Sequence, residues 1–165
     1  MLLLDYSLLK QQCEDIVNIA SVKNFRVFNA LQILMLTGIR ISELYFENWS
    51  QIDDENWKLY CSKTKSTRYF KSDNLPLNFR LGIIENNYDN FRFEQSTLNS
   101  YKKSYITQRF KTAQEHLTSW HIFRYLYTRR LYYEQQKTVQ EIKTTMSHAS
   151  VSITSNYIFN NIYLL

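Results

Sequence analysis

Six residues met in chain order, Arg40, Lys63, His121, Arg124, His148 and Tyr157, are of the types needed to cut a phosphodiester without a metal ion. Guanidinium forks match phosphate oxygens, lysine and histidine move protons, and a phenol can attack. Each residue alone has an ordinary explanation. Their order, local motifs and spacing point to chemistry.

Thr37-Gly38-Ile39-Arg40 places an arginine directly after a helix stop, where a turn can aim it into a cleft. Glu43 lies three residues on and can share a helical face with Arg40 and orient it; the alternative is a surface ion pair of little consequence. Lys63 falls in the polar stretch Ser62–Ser66, an expected hairpin tip that can carry an ammonium to a leaving oxygen. Hairpin tips also carry lysines because they are solvated, and Lys65 competes for the role. His121 and Arg124 stand at i and i+3, facing the same way on a helix that Ser119 would cap. A helix start favours an anion; the other reading is a half-buried histidine beside an exposed arginine. Tyr157 follows His148 by nine residues but is one of 13 tyrosines, most of which belong in a core.

The composition sets the frame. At 165 residues the chain fits one domain, and its 44% apolar content supports a packed core. No apolar run approaches a membrane span, and Asp5 interrupts the apolar start, so an intracellular, cytoplasmic protein is expected. Cys13 and Cys61 lack CxxC spacing and the three histidines lack HExxH spacing; neither metal nor other cofactor is expected. The net charge of +5 suits a polyanionic partner, although many basic proteins bind no nucleic acid.

Two glycines and one proline argue against an all-β chain and against Gly-rich nucleotide loops. The patterns predict helices over Asp5–Ala20, Asn24–Leu36 and Ile41–Phe46. A hairpin of Trp57–Cys61 with Thr67–Lys71 follows, with Leu75–Leu77 as a third, edge strand. A long polar-faced helix over Ser96–Glu115 comes next, then one from Ser119 to about Glu134, one capped by Thr138, and a last over Ser150–Phe159. The expected class is mainly α with a small antiparallel β-sheet (α+β), in one domain over 1–165.

Together these motifs resemble the catalytic domain of the tyrosine recombinase (phage integrase) family. Thr37–Leu44 is similar to its first-arginine motif, Lys63 to its hairpin lysine, His121–Arg124 to its His-x-x-Arg box, and His148 with Tyr157 to its late histidine and nucleophile. Ser147 stands where the family usually has glycine, Tyr125 where it often has histidine, and only eight residues follow Tyr157. The family's amino-terminal core-binding domain is read as absent from this chain.

The resemblance implies the DNA breaking-rejoining fold and site-specific recombination or integration for a mobile element, through a 3′-phosphotyrosyl intermediate and without metal or ATP. Tyr157 would attack, Arg40 and Arg124 hold the nonbridging oxygens, His148 add a hydrogen bond, Lys63 protonate the leaving 5′-oxygen, and His121 help remove the phenolic proton. The implied partner is double-stranded DNA, bound by a homo-tetramer on paired sites, with a monomer expected for the isolated chain. Lys65, Lys102, Lys103, Arg109, Lys111, Arg129 and Arg130 are the expected phosphate contacts, each equally explicable as solvated charge. A type IB topoisomerase-like relaxing enzyme, a non-catalytic DNA-binding remnant and a helical protein-interaction module remain the alternatives.

Overall fold

The amino-terminal helices begin where short polar side chains accept from free backbone N–H groups. In the computed structural model, which describes residues 1–112 and 119–165, a two-residue strand β1 (Leu2–Leu3) leads to α1 (Tyr6–Lys23), where the Asp5 carboxylate accepts from the Leu8 N–H. Asn24 accepts from Arg26 and Val27 and starts α2 (Phe25–Thr37). Such caps stabilise by about 1 kcal/mol each. Gly38 ends α2 at φ 64°, the left-handed conformation common at helix ends. A Cβ there would lie 2.6 Å from the Tyr127 ring, so conformation and space both require glycine.

The single short helix expected over Ile41–Phe46 is two 3₁₀ turns, Ile41–Leu44 and Phe46–Asn48. They lead into β2 (Trp49–Gln51), β3 (Asn56–Cys61) and β4 (Ser66–Lys71), an antiparallel sheet in the order β2-β3-β4. The β3–β4 hairpin is as expected, but its third strand is Trp49–Gln51 and not Leu75–Leu77. Pro76, with its fixed φ, introduces the helix α3 (Leu77–Ile84) instead of forming an edge.

The expected long helix over Ser96–Glu115 is also corrected. α4 (Gln95–Tyr101) widens into a π-helical stretch, Lys102–Thr107, and the chain then extends as β5 (Phe110–Thr112). Positions 113–115 of that expectation lie outside the described residues. Three helices follow: α5 (His121–Tyr133), α6 (Val139–Met146) and α7 (Val151–Phe159). Thr138 and Glu141 form a capping box on α6, and the Ser150 hydroxyl accepts from Ile153 to start α7. The tail forms β6 (Ile162–Leu164), which inserts between β1 and β5 in a second antiparallel sheet.

The main core packs α1, α2 and α5 together around Leu9, Ile16, Leu31, Leu34 and Phe123. Beneath the first sheet, Phe79 meets Phe46, Trp49 and Phe91 edge to face. Full burial of such side chains contributes roughly 1.5–3 kcal/mol each. A smaller cluster of Leu131, Ile142, Met146 and Ile158 joins α5, α6 and α7, which sets the distance between the His148 turn and the Tyr157 helix. Among the described residues no helix is long and apolar enough to cross a membrane.

Candidate active site

Arg124 is the hub. It lies in the first turns of α5 and is fully buried, not exposed beside its histidine. Its Nη1 donates to the Gly38 carbonyl at 2.7 Å and its Nη2 to the Met146 carbonyl at 2.9 Å. One bond grips the turn that carries Arg40, the other the helix end that carries His148. Nε is buried with no hydrogen-bond partner among the described residues.

Arg40 follows Gly38 in extended conformation. The Glu43 carboxylate accepts from the Arg40 backbone N–H at 2.7 Å and lies 3.6 Å from its Nη1. Glu43 is itself buried, so this is no solvated surface pair. The Glu43 carbonyl accepts from the Trp49 indole, anchoring the turn to β2.

A third arginine lies between these two turns. Arg68 is 3% exposed on β4, and its Nη2 donates to the Thr37 carbonyl at 2.7 Å and sits 3.7 Å from the Met146 sulfur. Burial lowers the pKa of Arg68; burial, with the Arg40 charge adding to it, pushes that of Arg124 down to about 10. Sequence reasoning missed Arg68. The signal was the two-residue period of β4: Arg68 shares the inward phase with Phe70, opposite Leu59.

The imidazoles sit in this positive field. Burial, then Arg124 and Arg40, push His148 down to about 3. The same causes, with Lys63, push His121 down to about 4. Both rings are neutral at physiological pH. His148 Nδ1 is 2.8 Å from the Thr154 hydroxyl, and Nε2 is buried without a hydrogen-bond partner among the described residues. Ser147, just before it, ends α6 at φ 56°, the left-handed conformation glycine prefers.

Tyr157, half-buried on α7, lies between two rings. His148 stacks on it at 4.9 Å and Tyr125 packs at 4.5 Å. The Arg124 guanidinium carbon is 5.7 Å from its ring centroid. Tyr125 fills the place expected for a histidine, and burial pushes its phenol pKa up. Among the described residues no hydrogen bond or ring contact joins His121 to Tyr157.

Lys63 is exposed at the hairpin tip and lines a cleft of about 450 Å³ with Lys143, Ser147 and His148. His121 lines a different cleft, of about 570 Å³, with Ser42, Ser119 and Lys102. The two openings flank the buried arginines.

The expected phosphate contacts separate into groups. Lys65 is exposed on the hairpin and Lys103 on the π-helical stretch, while Lys102 borders the His121 cleft. Lys111 is exposed on β5, and neighbouring Arg109 donates to Gln12 of α1 at 3.2 Å. Arg130 packs its guanidinium 4.8 Å from the Tyr127 ring. Arg129 departs from expectation: it is buried and spends its donors on main-chain carbonyls of α7, because the helix end it packs against needs them.

Among the described residues no group of three His, Cys, Asp or Glu side chains could hold a metal ion. Beside the phenol, Arg40 Nη1, Arg124 Nε and His148 Nε2 are all buried without a hydrogen-bond partner among the described residues, and unsatisfied polar atoms of this kind suit an oxyanion. No curated protein and no solved structure matches the chain. The sequence model of the phage integrase family matches residues 7–162, which takes in all six candidate residues. The chain therefore belongs to the phage integrase family, that of the tyrosine recombinases.

Proposed function

We propose that this chain breaks and rejoins DNA strands through a covalent 3′-phosphotyrosine on Tyr157. The observation that carries the reading is the packing of the Tyr157 ring against His148 and Arg124, beside Arg40 and Arg68. Two buried guanidinium groups, Arg68 and Arg124, and the half-buried one of Arg40, with Glu43 as their near carboxylate, favour an anion at their centre.

The Tyr157 phenol oxygen attacks the scissile phosphorus and the bond to the 5′-oxygen breaks. Lys63, exposed at its hairpin tip, gives that oxygen a proton. Arg40 and Arg124 stabilise the charge that develops on the nonbridging oxygens. Nδ1 of neutral His148 shares a hydrogen bond with the Thr154 hydroxyl; in the tautomer whose Nδ1 accepts, Nε2 carries the proton and donates to the same oxygens. His121, held in its base form, accepts the phenolic proton. Attack of a 5′-hydroxyl on the phosphotyrosine reverses each transfer and reseals the strand, so the linkage energy is conserved.

The partner in this reading is duplex DNA, gripped by phosphate contacts from Lys65, Lys102 and Lys103. Recombination engages four copies on two sites, and the chain acts as the catalytic domain, in the cytoplasm.

The test is trapping on a pool of nicked duplexes of varied sequence. Wild-type chain forms a protein–DNA adduct stable to denaturant, and Tyr157→Phe forms none while binding DNA equally well. An adduct that survives Tyr157→Phe removes the nucleophile; none from the wild-type chain removes the reaction.

A further inference from the structure

Arg129 is a buried cation whose bonds all go to the end of one helix. It is 5% exposed, Nε donates to the Tyr157 carbonyl at 2.9 Å, and Nη2 donates to the Asn160 carbonyl at 2.5 Å. Tyr157 lies in the last turn of α7 and Asn160 is its capping residue. Carbonyls there have no partner within their helix, and the helix dipole places partial negative charge on them. Among the described residues no carboxylate pairs with Arg129, so the carbonyls and a neighbouring aromatic face are what meet its charge.

The same guanidinium reaches the nucleophile by a second route. Its carbon is 5.7 Å from the ring centroid of Tyr125, one helical turn back on α5, and Tyr125 packs on the Tyr157 ring at 4.5 Å. Arg129 therefore fixes both the backbone of Tyr157 and the ring that backs its side chain. Arg124 stands on the same helix. One rigid element thus presents the phosphate-holding cation and the grip on the attacking residue. An apolar side chain of similar size would fill the space but leave both carbonyls unbonded, so packing alone does not account for a guanidinium here.

We infer that Arg129 is a positioning residue that registers the Tyr157 phenol against the scissile phosphate by bonding the nucleophile's own carbonyl and that of the residue capping its helix. This rests on the phosphotyrosine reading and adds to it a residue that does not touch DNA.

Arg129→Met and Arg129→Lys in the full chain test it, with the same pool of nicked duplexes and with amide exchange followed along α7. The expected result for Arg129→Met is adduct formation slowed at least tenfold, with DNA affinity and its salt dependence unchanged and amides of Ile158 and Phe159 exchanging faster. Arg129→Lys, which can reach one carbonyl, recovers part of the rate and serves should Arg129→Met fail to fold. Wild-type adduct rates with unchanged α7 exchange overturn the inference. So does a loss of affinity with a shallower salt dependence, the behaviour of a phosphate contact. If the wild-type chain forms no adduct, the phosphotyrosine reading fails, and faster or unchanged α7 exchange still decides whether Arg129 holds the helix.

Discussion

The His148 imidazole lies face to face with the Tyr157 phenol, centroids 4.9 Å apart and planes 17° from parallel. The stack fixes the histidine only in the plane; the Thr154 hydroxyl on Nδ1 fixes its rotation. Thr154→Val keeps the shape and removes the bond. Leaving a buried ring nitrogen unpaired costs about 1–3 kcal/mol, readable by chemical denaturation. Adduct formation falls further than DNA affinity, because the ring no longer aims Nε2. Unchanged adduct rates in this variant would show that the stack alone orients His148.

Arg40 and Arg124 separate in what they hold. Arg40 bonds chiefly Glu43, whereas Arg124 supplies two buried carbonyls from different turns. Arg40→Lys is therefore expected to fold with near wild-type stability and to cleave at least a hundredfold more slowly, since a point charge does not reproduce the fork. Arg124→Lys leaves at least one carbonyl unbonded in the core and loses about 2–4 kcal/mol as well as activity. Thermal unfolding beside adduct assays distinguishes the two; equal stability losses would contradict the hub.

The depressed histidines make folding pH-dependent. The unfolded chain protonates both imidazoles below their ordinary value of 6.5, whereas the folded chain does so only near 4 for His121 and near 3 for His148. The unfolded state thus binds more protons in that window, and stability falls as the pH drops through it. Each histidine contributes a slope approaching ~1.4 kcal/mol per pH unit near pH 5. Urea titrations from pH 7 to 4.5 measure it, and His148→Asn is expected to remove about half of the histidine part. An unchanged slope in that variant would place the linkage elsewhere.

The helical frame was legible because its signals are local: Asp5, Asn24, Thr138 and Ser150 each cap the helix they precede. The features that were not legible depend on distant partners. β5 extends because Phe110–Thr112 pairs with Ile162–Leu164, far along the chain, which overrides a polar helical pattern. β2 pairs with β3 although only three residues long. At the site, motif spacing singled out Arg40, Arg124, His148 and Tyr157; the structure packs Tyr157 against His148 and Arg124, and Arg124 bonds the turn that carries Arg40. Arg68 was hidden as a charged residue in a hairpin, visible only through strand phase. Arg129 looked like surface charge because a sequence does not say which helix end an arginine will meet.

Ser147 holds a left-handed conformation that costs a non-glycine residue roughly 1–2 kcal/mol. It precedes His148 and ends α6, so the turn is imposed by its surroundings. Ser147→Gly is expected to recover part of that cost, raising the melting temperature by about 2–4 °C for each kcal/mol recovered. Adduct formation stays within twofold, because the imidazole keeps its place. A lower melting temperature would show that the serine side chain offsets its own strain.

Duplex binding is expected to weaken with salt in proportion to the phosphates neutralised. Each lysine that contacts a phosphate contributes about 0.9 to the slope of log affinity against log salt concentration. Among the described residues the side chains of Lys65, Lys102 and Lys103 have no hydrogen-bond partner; Lys65 stands on the hairpin, Lys102 beside the His121 cleft and Lys103 next to it in sequence. Alanine at all three lowers the slope by about 2–3 and leaves the melting temperature within a few degrees. Arg109→Ala instead loses a bond to Gln12 and leaves the slope unchanged. Fluorescence anisotropy at four or more salt concentrations measures both. A slope that falls for Arg109→Ala and not for the lysines would move the DNA track from the two clefts to the sheet of β1, β6 and β5.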